Sequence, residues 1–210
     1  MSSESDSEYD SDATVIPEEA PGNWILRNLQ TVTVRRLAQF NDTTVPEGST
    51  AESLTARRME IARQFIHRIG ERANIQPPFY ASYGCNIVIG DDVNISSDVS
   101  IFDSAFIIIS HRVIIGAGVS ICPGIIARNT GGSSTRSINF QNLGTDPSTG
   151  IPYGNSIIIE EDCRIEPRVT IMDGVRIRRG TTIVAGSVVT SDIEANCLAG
   201  GNPAQVICRF

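Results

Sequence analysis

The chain has 210 residues, 40% of them apolar, enough for one domain with a proper core. Of its 24 acidic residues, seven fall in residues 1–20 with no base among them, which leaves 17 acids to balance the 17 bases of the remainder. The formal charge of −7 therefore belongs to one end, and the rest presents no electrostatic footprint for nucleic acid. No basic and apolar leader follows Met1, and no run of roughly 18 apolar residues could span a membrane, so a cytoplasmic protein is expected.

Residues 1–21 are rich in Ser and acid and poor in aliphatics, a composition that predicts a disordered acidic tail. From Asn23 to Phe40, Leu26, Leu29, Leu37 and Phe40 recur at loosely helical spacing. Asn41 to Gly48 reads as a loop. Ser49-x-x-Glu52 is a capping-box signature for a second helix, which is expected to run to about Arg72 with Leu54, Ile61, Phe65 and Ile69 on one face and His67 on the solvent side. Pro77-Pro78 ends this helical cap, 22–76, and feeds an extended segment.

Beyond it an aliphatic residue recurs in steps of six: Ile89, Ile95, Ile101, Ile109, Ile115, Ile121, Ile159, Ile165, Ile171, Ile177, Ile183 and Val189. The step slips by two at Ala105-Phe106 and is interrupted by one long insertion. Two residues before each runs a second register, Ile87 to Ser187, mostly small or β-branched. A period of six drifts around a 3.6-residue helix and makes no stripe, but it suits short strands joined by tight corners, three to a coil. The expected fold is an all-β core, a parallel β-helix of about four coils over 77–192, with glycines such as Gly90, Gly116, Gly118, Gly124, Gly174, Gly180 and Gly186 at or near its corners. Residues 126–156 form an inserted loop too long to be a plain connection. Residues 193–210 leave the helix, turning at Gly200-Gly201-Asn202-Pro203. The five cysteines lack CxxC spacing and predict free, mostly buried thiols rather than disulfides or a metal site.

Several of these stretches, taken in order, resemble the hexapeptide-repeat O-acetyltransferases of the maltose, galactoside and nodulation type: RRLAQFNDT with the helix after it, QPPFYASYGCNIVIGDDV, VIIGAGVSI, and SVVTSDIEANCLAGGNPAQVI. The resemblance covers roughly residues 35–210. It implies a left-handed helix, a homotrimer, and clefts between subunits that hold acetyl-CoA and a hydroxyl acceptor. The family's general-base His, which follows the strand matching Val119-Ser120-Ile121, corresponds to Ile126, and an alkyl group accepts no proton. The family's CoA-side lysines correspond to Ser191 and Gln205 and its next basic residue to Cys208, so Arg209 is the cation left there. The Trp of its pantetheine path corresponds to Arg164, the neighbouring Gly to Glu166, and the acceptor-side Asn to Ser96. Ser82, Tyr83, Asp103, Tyr153 and Thr190 match.

This pattern of kept scaffold and lost groups leads to the expectation of a repurposed trimer. It would be an enzyme without cofactor or metal, working on a small, mostly hydrophobic substrate in the inter-subunit cleft by cyclisation, isomerisation or elimination, as in secondary metabolism. Asp103 or Tyr153 would move the proton and Arg164 would stabilise negative charge, with Ser82, Tyr83, Asn94, Ser96, Phe102, Ile126 and Glu166 on the substrate. Two alternatives stand beside it: acetyl-CoA-dependent O-acetyl transfer, with Thr190 on the cofactor, and a non-catalytic trimeric binding module.

Overall fold

A computed structural model describes residues 21–122 and 155–210, with side chains from residue 27 onward. Two helices lead into a left-handed parallel β-helix of about five coils. Three flat walls run along it. The first stacks Arg68–Ile69, Ile87–Ile89, Ile107–Ile109, Ile157–Ile159 and Arg176–Ile177. The second stacks Asn74–Ile75, Asn94–Ile95, Ile114–Ile115, Arg164–Ile165, Thr182–Ile183 and Cys197–Gly201, and the third Phe79–Ala81, Val99–Ile101, Ser120–Cys122, Thr170–Met172 and Val188–Val189.

The sixfold step becomes three vertical ladders. On the second wall Ile75, Ile95, Ile115, Ile165, Ile183 and Ala199 sit in direct register. The first wall repeats this with Ile69, Ile89, Ile109, Ile159 and Ile177, the third with Ala81, Ile101, Ile121, Ile171 and Val189. These isoleucines are essentially inaccessible from Ile75 onward, and each buried one contributes on the order of 1.5–3 kcal/mol against exposure. The second register is buried too. Its polar members are satisfied where they stand: the Thr181 hydroxyl donates to the Glu194 carbonyl at 2.7 Å, and Ser187 donates to the Val184 carbonyl at 2.6 Å while accepting from the Gly201 N–H.

The β-helix begins earlier than 77. The second helix, Ala51–Ala62 (α2), stops ten residues short of Arg72, and Ile69, Ile75 and Ala81 already form a coil, which makes five coils rather than four. The helical cap is thus shorter than 22–76. Its capping box is also one residue on: Thr50 accepts from the Ser53 N–H at 3.1 Å and the Ser53 hydroxyl accepts from the Thr50 N–H at 2.9 Å. The first helix, Pro21–Phe40 (α1), buries Leu37 and Phe40 but leaves Leu29 at its surface. It closes the open end of the first coil. Phe40 meets Phe79 edge to face at 6.1 Å between ring centres, Asn41 accepts from the Phe79 N–H and donates to its carbonyl, both at 2.9 Å, and the Thr33 hydroxyl donates to the Tyr83 carbonyl. At the far end Ala204–Arg209 folds back antiparallel on Cys197–Gly201. Residues 1–20 and most of the inserted loop, with Gly124, lie outside the described residues, and among those described no helix is long and apolar enough to cross a membrane.

All five cysteines are free, but burial is uneven: Cys163 and Cys197 are buried, Cys85 and Cys122 partly so, and Cys208 is exposed. Burial pushes the Cys163 thiol up to about 11. A thiol reagent at neutral pH is expected to modify Cys208 first, and Cys163 and Cys197 only after denaturant unfolds the coils, which mass spectrometry of the labelled peptides would read.

Candidate active site

The corners have distinct chemistry. Between the first and second walls, Arg72, Asp92, Arg112 and Asp162 occupy the same left-handed position in successive coils. They pair in twos. Arg72 meets Asp92 with both bonds at 2.6 Å, and Arg112 meets Asp162 at 2.6 and 2.8 Å. The guanidinium groups hold both carboxyls below the usual carboxylate range. His111 belongs to this corner: its Nδ1 accepts from the Asp91 N–H at 3.0 Å and lies 3.2 Å from the Asp91 carboxylate.

Between the second and third walls, the equivalent left-handed positions are Asp98, Gly118, Arg168 and Gly186. Their N–H groups bond from coil to coil: Asp98 to the Pro78 carbonyl, Gly118 to Ser97, Arg168 to Ala117 and Gly186 to Pro167. Charged and glycine positions alternate, so a notch opens at Gly118. A side chain begun there would lie 3.4 Å from the Arg168 Cγ and 3.9 Å from an Asp98 carboxylate oxygen. The result is a groove of about 730 Å³ parallel to the axis, lined by Ser97, Asp98, Ala117, Gly118, Pro167, Arg168, Ala185 and Gly186. In contrast to the paired corner, Asp98 and Arg168 make no ion pair with each other or with another described residue.

The expected site residues fall on two corners. Ser82, Tyr83, Phe102 and Asp103 sit between the third and first walls, whereas Asn94, Ser96, Arg164 and Glu166 lie on the second wall or at its edge on the groove. Asp103 cannot move a substrate proton as expected, because it is fully buried and its oxygens are occupied: Oδ1 accepts from the Ser82 N–H at 3.0 Å and the Tyr83 N–H at 2.8 Å, and Oδ2 from the Asn86 N–H at 3.3 Å. Arg164 is not a free cation either, since Glu166 accepts from its Nε at 2.6 Å. Asn94 accepts from the Asn74 amide at 3.3 Å, Phe102 and Thr190 are exposed, and Ile126 and Tyr153 lie outside the described residues. The groove itself was missed. Its signal was present two and three residues after each ladder isoleucine, where 97–98, 117–118, 167–168 and 185–186 stack.

The bacterial transferase hexapeptide (six repeats) family model matches residues 156–191. The galactoside O-acetyltransferase of Escherichia coli K12 is 33% identical over 72% of this chain and 68% of its own, and that of Lactococcus lactis is 30% identical over 81% and 72%. Among solved structures, a hexapeptide-repeat acetyltransferase from Vibrio cholerae in complex with acetyl-coenzyme A superposes with a TM-score of 0.68 at 26% identity, covering 87% of each chain. The protein belongs to the hexapeptide-repeat acetyltransferases, a family of enzymes. This overturns the expectation of a cofactor-independent cyclase, isomerase or lyase: the relatives are O-acetyltransferases, and the structural neighbour carries acetyl-coenzyme A.

Proposed function

We propose that the protein is an acetyl-CoA-dependent O-acetyltransferase working as a homotrimer. The observation that carries this reading is the axial groove between the second and third walls. Its walls at Ala117, Gly118, Ala185 and Gly186 are small enough for a thin pantetheine chain to lie along the backbone, and Arg168 brings a cation to it. It also borders the Arg164–Glu166 segment, where the family resemblance puts the pantetheine path. When bound, acetyl-CoA supplies an acetyl group already activated as a thioester. The chain's own part is to hold that carrier against the corner, bring an acceptor hydroxyl beside it, and take up the hydroxyl proton.

Trimer assembly supplies a reason for the split of the expected residues, since one subunit's Ser82 and Tyr83 corner would then face its neighbour's groove. The test combines binding with turnover. Coenzyme A is expected to raise the melting temperature in a concentration-dependent way, reflecting a stabilisation of roughly 2.7 kcal/mol at a hundredfold excess over Kd. Acetyl-CoA with a hydroxyl panel headed by galactosides should release free thiol. Absence of both the stabilisation and the thiol release would remove this reading.

A further inference from the structure

Every hydroxyl acetylation needs a proton acceptor, and the chain's two histidines are both elsewhere. His67 is exposed beyond α2 at the start of the first wall, and His111 is engaged with Asp91 at the corner between the first and second walls. All 17 basic residues are arginine, so no lysine amine can serve either. Asp103 is enclosed by backbone N–H groups. Among the described residues that line the groove only Asp98 and Arg168 carry a charged side chain, and they face each other across the Gly118 notch without pairing.

We propose that Asp98 is the general base of acetyl transfer in this chain and that Arg168, across the notch, stabilises the negative charge that develops on the acyl oxygen. This inference rests on the acetyltransferase reading above and names the residues that would perform it. The notch admits the acceptor because Gly118 places no side chain there. The acceptor oxygen gives its proton to the Asp98 carboxylate as it bonds to the acyl carbon. The carbon–sulfur bond then breaks, and the Asp98 proton passes to the departing sulfur, so that acetyl ester and free thiol leave and the carboxylate is restored. Among the described corner residues of the groove Arg168 is the one charged group facing Asp98, and its fixed positive charge stabilises the oxyanion without losing or gaining a proton.

The alternation along this corner supports the assignment. A corner under purely structural constraint would pair its charges, as Arg72 does with Asp92 and Arg112 with Asp162. Here a glycine stands between the two charged residues, which keeps the carboxylate open to a ligand.

Asp98→Asn tests the idea with little risk to folding, because asparagine accepts the left-handed backbone that Asp98 adopts, with φ at 61°. The expected result is a fall in kcat of about 100-fold or more with loss of the acidic limb of the pH profile. Calorimetric affinity for coenzyme A should stay unchanged or tighten, since a carboxylate beside a polyanion repels it. Arg168→Gln should lower kcat while keeping the limb, and Arg168→Lys should recover part of it. His111→Ala and His67→Ala should turn over normally. Full turnover with an intact acidic limb in Asp98→Asn, loss of coenzyme A binding in that variant, or loss of turnover in either histidine variant would overturn the assignment. If the unaltered protein binds no coenzyme A, it is the acetyltransferase reading itself that fails.

Discussion

Gly116→Ala is expected to destabilise the protein by about 3 kcal/mol or more, read as a lower urea midpoint at unchanged slope. The reason is local and steric. A Cβ on Gly116 would lie 2.6 Å from the Pro167 nitrogen, 2.8 Å from the Glu166 carbonyl carbon and 2.9 Å from the Pro167 Cδ. Two of those three atoms are backbone, so nothing can swing aside. Relief requires the third and fourth coils to part at the groove corner, which would also lengthen the Gly116 N–H bond to the Ile165 carbonyl, now 2.8 Å. Gly186→Ala is the comparison. Its Cβ would enter open space, and its cost is confined to the left-handed backbone at φ +72°, about 1 kcal/mol. Equal loss in the two variants would mean that the corner is held by conformation rather than by contact between coils.

The ladders were legible because a prism of stacked coils writes its interior into the chain at a fixed step, and isoleucine filled that step almost without exception. Its beginning was obscured by a second period. Ile61, Phe65 and Ile69 are four apart, the spacing of a helix face, yet Ile69 is also six before Ile75. Ile69 answers to both patterns, and only the pairing of Arg68–Ile69 with Val88–Ile89 decides that it is the first rung of the coil.

The candidate site was harder to read. A corner residue shows its role only when its neighbours above and below are known, and those neighbours are far along the chain: Asp98, Gly118, Arg168 and Gly186 are brought together by coils of unequal length, one carrying the long insertion. The family resemblance identified positions rather than environments. It singled out Asp103 as a matching carboxylate, and composition cannot show that backbone N–H groups surround it. It also put weight on the absent histidine and lysines, whereas the groove keeps one carboxylate and one guanidinium in other places.

Asp103→Ala is the second large effect, expected to cost about 3 kcal/mol and to loosen the Ser82–Asn86 turn. The variant strips three N–H groups of their acceptor in a part-buried setting, and the Asn86 amide, which donates to the Asp103 carbonyl at 2.8 Å, loses the turn that orients it. Asp103→Asn should cost less, about 1 kcal/mol, because one oxygen survives to accept from Ser82 and Tyr83. The pH dependence separates the two roles of the carboxyl. Burial raises it above its ordinary value of 3.8, with the N–H groups of Tyr83, Asn86 and Ser82 pulling the other way. For a group raised on folding, the stabilising contribution is complete below the ordinary value and declines as pH rises through the raised one. The stability gap between the protein and Asp103→Asn should therefore narrow as pH rises above 3.8. Asp92 and Asp162, lowered by their arginines, lose stability in the opposite direction as pH falls, but they are present in both proteins and cancel in the difference. A gap that widens toward neutrality would show that the ionised carboxylate, not the buried acid, is what the turn is built to hold.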